Sequence, residues 1–143
     1  MSEKTISVVA ALIRDPAGRV LLVRKRGTAA FMQPGGKRAI GESDVAALAR
    51  EITEELGCRV VSTSAQALGT FDCAAANEPG YQVNATLYAV DVDGAINPAG
   101  EIDQVVWIDP HVLPDLSFAP LTRDHVLPLA RSLQCLATAG QPI

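Results

Sequence analysis

The chain has 143 residues and a formal net charge of −4. This length suits one domain with a hydrophobic core, and we expect a single domain over residues 1–143. The acidic balance, with no basic run longer than Arg24-Lys25-Arg26, argues against a large nucleic-acid surface. We also expect no signal peptide and no membrane span, since the apolar run at residues 8–13 is short. The three cysteines lack metal-site spacing, which favours reduced thiols in a cytoplasmic protein.

The first third of the chain predicts a β-hairpin that leads into a glycine loop. Two apolar, β-branched runs, at residues 5–13 and 19–25, flank the turn sequence Asp15-Pro16-Ala17-Gly18. A short strand at residues 31–33 then precedes Pro34-Gly35-Gly36. Because neither glycine has a side chain, the backbone there can approach a ligand closely or offer a carbonyl to a metal.

A helix is predicted to begin after Ser43, a favourable N-cap, and to end at Gly57, which can adopt the left-handed conformation. Glu51, Glu54 and Glu55 share one arc of this helix, beside its apolar stripe. Three carboxylates this close repel one another, and a divalent cation removes the repulsion. Hard oxygen ligands at this density suit Mg²⁺ or Mn²⁺. The apolar stripe consists of Val45, Leu48, Ala49, Ile52 and Leu56.

The start of the same helix is a natural anion site, because its first amides are unpaired and its dipole is positive there. Lys37 and Arg38 add positive charge at this place. The basic run Arg24-Lys25-Arg26 is a second candidate for phosphate binding, although the charged end of a hairpin explains it at least as well. Loop and helix together therefore predict a site for metal ions and phosphate.

Each of these features has an ordinary explanation when taken alone. An acidic run on a helix is usually a solvated face, and Gly-Gly before a helix is usually a turn. Together they form the pattern Gly-x5-Glu-x7-Arg-Glu-Ile-x-Glu-Glu-x-Gly from residue 36 to residue 57. A pattern with this many fixed positions recurs by chance about once in 10⁸ starting points, so coincidence is a poor explanation.

Residues 36–58 resemble the Nudix box, the signature of the Nudix hydrolase superfamily, and Pro34-Gly35-Gly36-Lys37 is typical of the same family. Cys58 replaces the usual aliphatic residue of the box, but cysteine behaves as a small apolar group. The resemblance implies the Nudix fold, an α/β (α+β) architecture with a mixed β-sheet sandwiched between helices. It also implies hydrolysis of a nucleoside diphosphate linked to another group, assisted by Mg²⁺ or Mn²⁺.

The resemblance further implies roles for the acidic residues of the box. Glu51 and Glu55 would bind metal, and Glu54 would bind metal or position water. Arg50 would orient the carboxylates, with Glu42 as its partner. Such metal ions bridge phosphate oxygens and lower the pKa of an attacking water, so that catalysis becomes mostly positioning and electrostatics.

The glycine loop receives roles from the same resemblance. A backbone carbonyl from Gly35 or Gly36 would complete the metal shell, and Gly36 is our candidate. On the residues themselves, Gly35 and Lys37 are predicted to contact the substrate, because a glycine backbone can approach a ligand closely and Lys37 adds positive charge.

A carboxylate outside the box often serves as general base in this family, and Glu101 is our candidate. It follows the loop at residues 97–100 and precedes a predicted strand at residues 104–108, so it lies at a strand end, where site residues gather. An ordinary loop acid is an equal explanation. Asp72 and Glu78 are weaker alternatives.

The remaining elements complete the predicted domain. Further strands are expected at residues 59–63, 67–73 and 81–92, and a second helix within residues 121–137. Pro128 would be tolerated in the first turn of that helix, where no backbone donor is needed.

The sequence leaves the substrate open, since no accessory motif of the ADP-ribose, dinucleoside polyphosphate, coenzyme A or NADH subfamilies is found. The leading hypothesis is a pyrophosphohydrolase of small-molecule nucleotides. One alternative is a Nudix-like nucleotide sensor without hydrolysis, which the intact set of box acids disfavours. Another is an RNA-end pyrophosphohydrolase, which the acidic balance and small size disfavour, and a homodimer is left open. Candidates for a base pocket are Phe71, Tyr81, Asn84, Tyr88 and Phe118.

Overall fold

The computed structural model describes residues 4–76 and 79–140. The strands are β1 (Thr5–Leu12), β2 (Val20–Lys25), β3 (Gly35–Lys37), β4 (Arg59–Ala74), β5 (Gln82–Asp93) and β6 (Ile102–Ile108). The helices are α1 (Asp44–Leu56), between β3 and β4, and α2 (Leu127–Gly140), which follows a π-helical turn at Thr122–Val126. No helix in this part of the chain is long and apolar enough to span a membrane.

The strands form a four-stranded mixed sheet in the order β3-β1-β5-β4 and a two-stranded sheet of β2 and β6. Strand β1 is antiparallel to β3 and parallel to β5. Val9 therefore lies between Gly36 of β3 and Thr86 of β5. This register places the glycine strand at the edge of the mixed sheet, directly beside the centre of the core.

Alternate residues of β1 and β2 pack against different helices. The helix α1 cluster takes Val9, Ala11, Leu21 and Val23, together with Leu48, Ile52 and Leu56 of α1. The helix α2 cluster takes Ala10, Leu12, Val20 and Leu22, together with Val126, Leu127 and Ala130. Since successive strand residues face opposite sides, the strands lie between two helical layers. The predicted architecture, a mixed sheet sandwiched between helices, is confirmed.

Helix α1 follows its sequence signals. The Ser43 hydroxyl accepts a hydrogen bond from the Ala46 N–H at 3.2 Å. Gly57 ends the helix with a φ of 73°. Both ends are local features of the chain, so the boundaries agree with the prediction.

The predicted hairpin is only partly correct. The turn forms, with the Gly18 N–H donating to the Asp15 carbonyl at 2.9 Å, and the Leu21 N–H donates to the Ile13 carbonyl. Beyond these first pairs the strands separate, and β2 pairs with β6 instead of β1. Strand β2 is mostly buried on both faces, so its partner is set by the whole core rather than by the turn.

Two other strand predictions need correction. Phe31 and Met32 make only isolated bridges, and the strand forms at Gly35–Lys37 instead, where it pairs with β1. The expected break near residue 65 is a register shift within the continuous strand β4. Ser64 supports this irregularity, because its hydroxyl donates to the Val61 carbonyl and accepts from the Asp91 N–H.

The second helix is confirmed but begins differently. A π-helical turn leads into α2, with the Leu127 N–H donating to the Thr122 carbonyl. Pro128, which has no N–H to donate, follows immediately as the second residue of α2. The widened turn therefore comes directly before the residue that cannot continue the regular hydrogen-bond pattern.

Candidate active site

A cavity of about 690 Å³ joins the edge of α1 to the α2 side of the sheet. At one end it is lined by almost all of the predicted site residues, namely Gly35, Gly36, Lys37, Glu51, Glu54, Glu55 and Glu101. Lys25 and Arg26 lie at the same end. The structure thus brings together residues of the box, the glycine strand and the loop before β6.

The two glycines let the main chain of β3 fit between β1 and α1. Gly35 has a φ of 146°, and a Cβ atom there would lie 2.1 Å from the Val9 carbonyl oxygen. A Cβ atom on Gly36 would lie 2.5 Å from the carboxylate carbon of Glu51. One glycine therefore permits the strand pairing, and the other permits the contact between the backbone and a box carboxylate.

Glu55 is the buried acid of the site, with 8% of its surface exposed. Its Oε1 accepts a hydrogen bond from the Gly35 N–H at 3.1 Å. Burial raises the pKa of Glu55 to about 7, and the charges of Glu51 and Glu101 act in the same direction against the opposing effects of the Gly35 N–H and Lys25. Negative charge is costly here, so a cation would be stabilised.

Arg50 holds two acids of the box at once. Its Nε and Nη2 donate to the two carboxylate oxygens of Glu42, each at 2.8 Å. Its Nη1 donates to Glu51 Oε2 at 2.9 Å, and its Nη2 also donates to the Lys37 carbonyl at 3.0 Å. Glu54 Oε1 is farther away, 3.7 Å from Nη1. This geometry orients Glu51 from behind, and Arg50 itself does not line the cavity.

Glu42 is the fixed partner of Arg50. Besides the paired hydrogen bonds from Arg50, its carboxylate accepts one from the Ala39 N–H at 2.7 Å. The Arg50 guanidinium and this backbone N–H together lower the pKa of Glu42 to about 2. Glu42 is therefore charged at any ordinary pH, and it anchors the loop before α1.

The loop that carries Glu101 is tied to the end of α1. The Asn97 N–H donates to the Leu56 carbonyl and the Ala99 N–H to the Glu55 carbonyl, both at 2.9 Å. Arg26 holds the other side, because its N–H donates to the Glu101 carbonyl at 2.7 Å. These bonds use carbonyls that a helix end leaves unpaired, and they place Glu101 at the cavity.

The two weaker base candidates are not in this arrangement. Asp72 accepts a hydrogen bond from the Asn84 side chain at 2.9 Å and does not line the cavity. Glu78 lies outside the described residues.

Apolar side chains make up another part of the cavity lining, which we call its apolar end, and the sequence did not predict them. This apolar end includes Ile6, Val8, Met32, Val83 and Leu121. Two buried polar residues also contribute to its lining. Gln33 donates to the Ala11 carbonyl at 2.9 Å and accepts from the Thr122 hydroxyl at 3.1 Å.

The residues named from the sequence as a base pocket do not line the cavity; they are Phe71, Tyr81, Asn84, Tyr88 and Phe118. Phe71 stacks on His125 instead, and the Tyr88 hydroxyl donates to Asp44. Strand alternation explains one of these absences, because Val83 reaches the cavity and its neighbour Asn84 faces the other side. Once the cavity side of β5 is known, that alternation identifies Val83.

The family model of the NUDIX domain matches residues 4–129. The chain belongs to the Nudix family. It is 30% identical over 125 residues to the 8-oxo-dGTP diphosphatase of Haemophilus influenzae, and this match covers 84% of this chain and 88% of that protein. It is 34% identical over 106 residues to a Mycobacterium tuberculosis protein named as a candidate 8-oxo-dGTP diphosphatase, and this match covers 70% of this chain and 68% of the relative.

Solved structures agree with this assignment. The E. coli ORF135 protein superposes with a TM-score of 0.70 and 27% identity, over 99% of this chain and 96% of that one. The MutT protein of Methanosarcina mazei Go1 superposes with a TM-score of 0.75, over 94% of this chain and 98% of that one, and at 21% identity it shows the fold alone. The protein is a Nudix hydrolase that acts on phosphoanhydrides.

Nudix hydrolases generally use divalent metals, and the residues of this chain fit such ions. Within residues 4–76 and 79–140, no three acidic, histidine or cysteine side chains already converge around a metal position. Glu51 and Glu55 instead point to Arg50 and to the Gly35 N–H. A hard-oxygen donor set of this kind suits ions that keep several waters and bind together with substrate phosphates.

The two glycines of this Nudix hydrolase predict separable defects. In Gly35→Ala the added methyl meets the Val9 backbone, which cannot move aside, so we expect a large loss of thermal stability. In Gly36→Ala it meets the flexible end of Glu51, so we expect a folded protein whose hydrolysis rate falls about tenfold or more.

Gly41→Ala is the matched control, because Gly41 has a φ of 80° and no atom within 4 Å of an added Cβ. It should lose only about 1–2 kcal/mol, from backbone strain. Thermal unfolding and a hydrolysis assay on the three variants measure both effects. A Gly36→Ala enzyme with the wild-type rate would contradict the importance of the Glu51 position.

The raised pKa of Glu55 predicts a pH-dependent stability in the absence of metal. The pKa is about 7 in the folded protein and about 4.5 in the unfolded chain, so folding favours the protonated form. This contribution is complete below about pH 4.5 and is lost as the pH rises through 7. From below pH 4.5 to above pH 7, the free energy of unfolding of the wild type should fall by about 3 kcal/mol relative to that of Glu55→Gln. Denaturant titrations of both proteins in EDTA would measure the difference, and a pH-independent difference would contradict the prediction.

Proposed function

We propose that this Nudix hydrolase is a Mg²⁺- or Mn²⁺-dependent pyrophosphohydrolase of nucleoside triphosphates, with 8-oxo-dGTP as its first candidate substrate. The observation that carries the proposal is a cavity whose lining contains both the carboxylates of α1 and a set of apolar side chains. The carboxylates suit metal-bound phosphates, and the apolar side chains suit a nucleobase. The names of the Haemophilus influenzae and Mycobacterium tuberculosis relatives support the choice of substrate.

The carboxylate end would hold the metal ions. Glu51, Glu54 and Glu55 would bind them, with the Gly36 carbonyl as a further ligand. Such ions, when bound, neutralise phosphate charge and lower the pKa of water. Arg50 would act through Glu51, whose carboxylate it holds at 2.9 Å.

The substrate phosphates would be attracted by the basic residues at the same end. Lys25 and Lys37 both line the cavity. The Gly35 N–H is already donated to Glu55, so this glycine would contribute close backbone approach rather than a hydrogen bond to the substrate. Glu101 would take the proton from the attacking water, because it lines the cavity beside Glu55.

The base would lie in the apolar end, where Ile6, Val8 and Val83 offer nonpolar surface. Hydrolysis is favoured over sensing, since every acid of the box is present and three of them line the cavity. A cytoplasmic location, a homodimer and a single domain over residues 1–143 stay predictions from the sequence.

A substrate screen with matched variants tests the proposal. The wild type, Glu54→Gln and Glu55→Gln are each given 8-oxo-dGTP, dGTP, dCTP, ADP-ribose and a dinucleoside polyphosphate, and products are separated by chromatography. We expect the highest kcat/KM for 8-oxo-dGTP, with a nucleoside monophosphate and pyrophosphate as products. Each variant should lower kcat by at least about 10²-fold. Glu54 has 58% of its side chain exposed, so its variant should keep the wild-type fold.

Four results would count against the proposal in different ways. Full turnover in excess EDTA, or wild-type rates in both variants, would contradict the metal mechanism. Preferred cleavage of ADP-ribose would replace the substrate class. Tight nucleotide binding in Mg²⁺ without cleavage would favour the sensor.

Glu101→Gln tests the proposed base separately. The substitution keeps the size of the side chain, and the loop is held by backbone bonds that it does not remove. We expect kcat and kcat/KM to fall together by about 10²-fold or more, while nucleotide binding changes little. Asp72→Asn is the control and should keep the wild-type rate, since Asp72 does not line the cavity. A wild-type rate for Glu101→Gln would move the role of base to another acid and leave the rest of the proposal intact.

A further inference from the structure

Asp44, the first residue of α1, links the helix to the sheet and to the loop before it. One carboxylate oxygen accepts a hydrogen bond from Arg38 Nε, and the other accepts from the Tyr88 hydroxyl at 2.8 Å. Arg38 continues the network, donating to the Ser7 hydroxyl of β1 at 3.0 Å and to the Thr86 hydroxyl of β5 at 3.2 Å. The Tyr88 ring packs against the α1 side of the core. Three elements, α1, β1 and β5, therefore meet the loop before α1 at one carboxylate and one guanidinium.

This network lies next to the candidate metal site in the chain. Arg38 directly follows Lys37, where β3 ends, and Asp44 begins the helix that carries Glu51 and Glu55. The segment between Arg38 and Asp44 thus connects the two halves of the site, the main chain of β3 and the carboxylates of α1. A shift of either end would change the distance between Gly36 and those carboxylates.

The Arg50 clamp does not fulfil the same purpose. Arg50 ties Glu42 of the loop and the carbonyl of Lys37, the last residue of β3, to the middle of α1. Within the described residues, none of the hydrogen bonds of the Arg50 side chain reaches β1 or β5. The attachment of the start of α1 to these two strands comes through Arg38 and Tyr88, while its other end is tied by the loop before β6.

The charges in the network are persistent. Hydrogen bonds from Arg38 and Tyr88 lower the pKa of Asp44, and the bond to Asp44 raises the pKa of Tyr88. Asp44 is therefore ionised and Tyr88 neutral at neutral pH. Hydrogen bonds to charged groups are stronger than neutral ones, so losing the Tyr88 hydroxyl should be felt at the start of α1.

We propose that Arg38, Asp44 and Tyr88 are positioning residues that fix the start of α1 against β1 and β5, and that this placement of the helix tunes the metal affinity of the site. The inference rests on the proposed metal binding by Glu51, Glu54, Glu55 and Gly36. A purely structural network would change stability without changing metal affinity. The two explanations therefore differ in a measurable quantity.

Tyr88→Phe is the sharpest test, because it removes one hydroxyl and keeps the ring in the core. Arg38→Met is the second variant, and it removes the opposite bond to Asp44. The Mn²⁺ dissociation constant is measured by calorimetry without substrate, and the Mg²⁺ concentration for half-maximal hydrolysis is measured separately. We expect each variant to raise both constants about threefold to tenfold, with kcat at saturating metal within about twofold of the wild type.

A double variant and a matched control complete the design. Because both residues act through Asp44, the effect of Arg38→Met with Tyr88→Phe should be smaller than the product of the single effects. Arg59→Met removes a comparable ion pair, since Arg59 Nη2 lies 2.9 Å from Asp93 Oδ2 on an exposed surface. It should leave both metal constants unchanged.

The outcomes separate this inference from the proposed function. If the wild type binds Mn²⁺ and hydrolyses nucleotides, but Tyr88→Phe and Arg38→Met lower only the melting temperature, the positioning role is wrong and the function stands. If the wild type neither binds Mn²⁺ nor hydrolyses any nucleotide, the proposed function fails and takes this inference with it.

Discussion

The hydrogen bond between the Gly35 N–H and the buried Glu55 carboxylate is the contact on which the candidate site depends. A buried acid needs a polar partner, and β3 can supply one only because Gly35 tolerates a φ of 146° against β1. The acidic edge of α1 is thereby held against the main chain of β3. Gly36 follows directly and leaves room for the Glu51 carboxylate. Two missing side chains and one buried acid bring backbone and carboxylates to the same place.

The acids of the box are compensated by positive charge to different degrees. Arg50 donates to both carboxylate oxygens of Glu42, and its Nη1 donates to Glu51. Arg50 and Glu42 do not line the cavity. Glu55 accepts a hydrogen bond from one backbone N–H and is attracted by the charge of Lys25, but burial still raises its pKa to about 7. The uncompensated negative charge therefore faces the cavity. A cation bound there would offset the unfavourable electrostatic energy of these closely spaced, partly buried carboxylates.

Features that depend on neighbouring residues could be predicted from the sequence, whereas features that depend on contacts between distant segments could not. The ends of α1 depend on Ser43 and Gly57, and both behave as their residue types require. The partner of β2 is β6, which follows it by about eighty residues, and no turn signal encodes that pairing. The sequence predicts a loop at Gly35–Lys37 because a glycine only permits close pairing with β1 and does not by itself indicate a strand.

The same distinction explains why the class of reaction is easier to infer than the substrate. The carboxylate end comes mainly from one continuous segment, so its spacing is visible in the sequence. The apolar end is assembled from β1, β5 and the approach to α2, through residues such as Ile6, Val83 and Leu121. Those residues lie on the α2 side of the sheet, whereas Val9 and Ala11 pack towards α1. Substitutions on the α2 side can therefore reshape the apolar end while the packing that supports the carboxylates is retained. Within such an arrangement, the choice of substrate can change without rebuilding the chemistry.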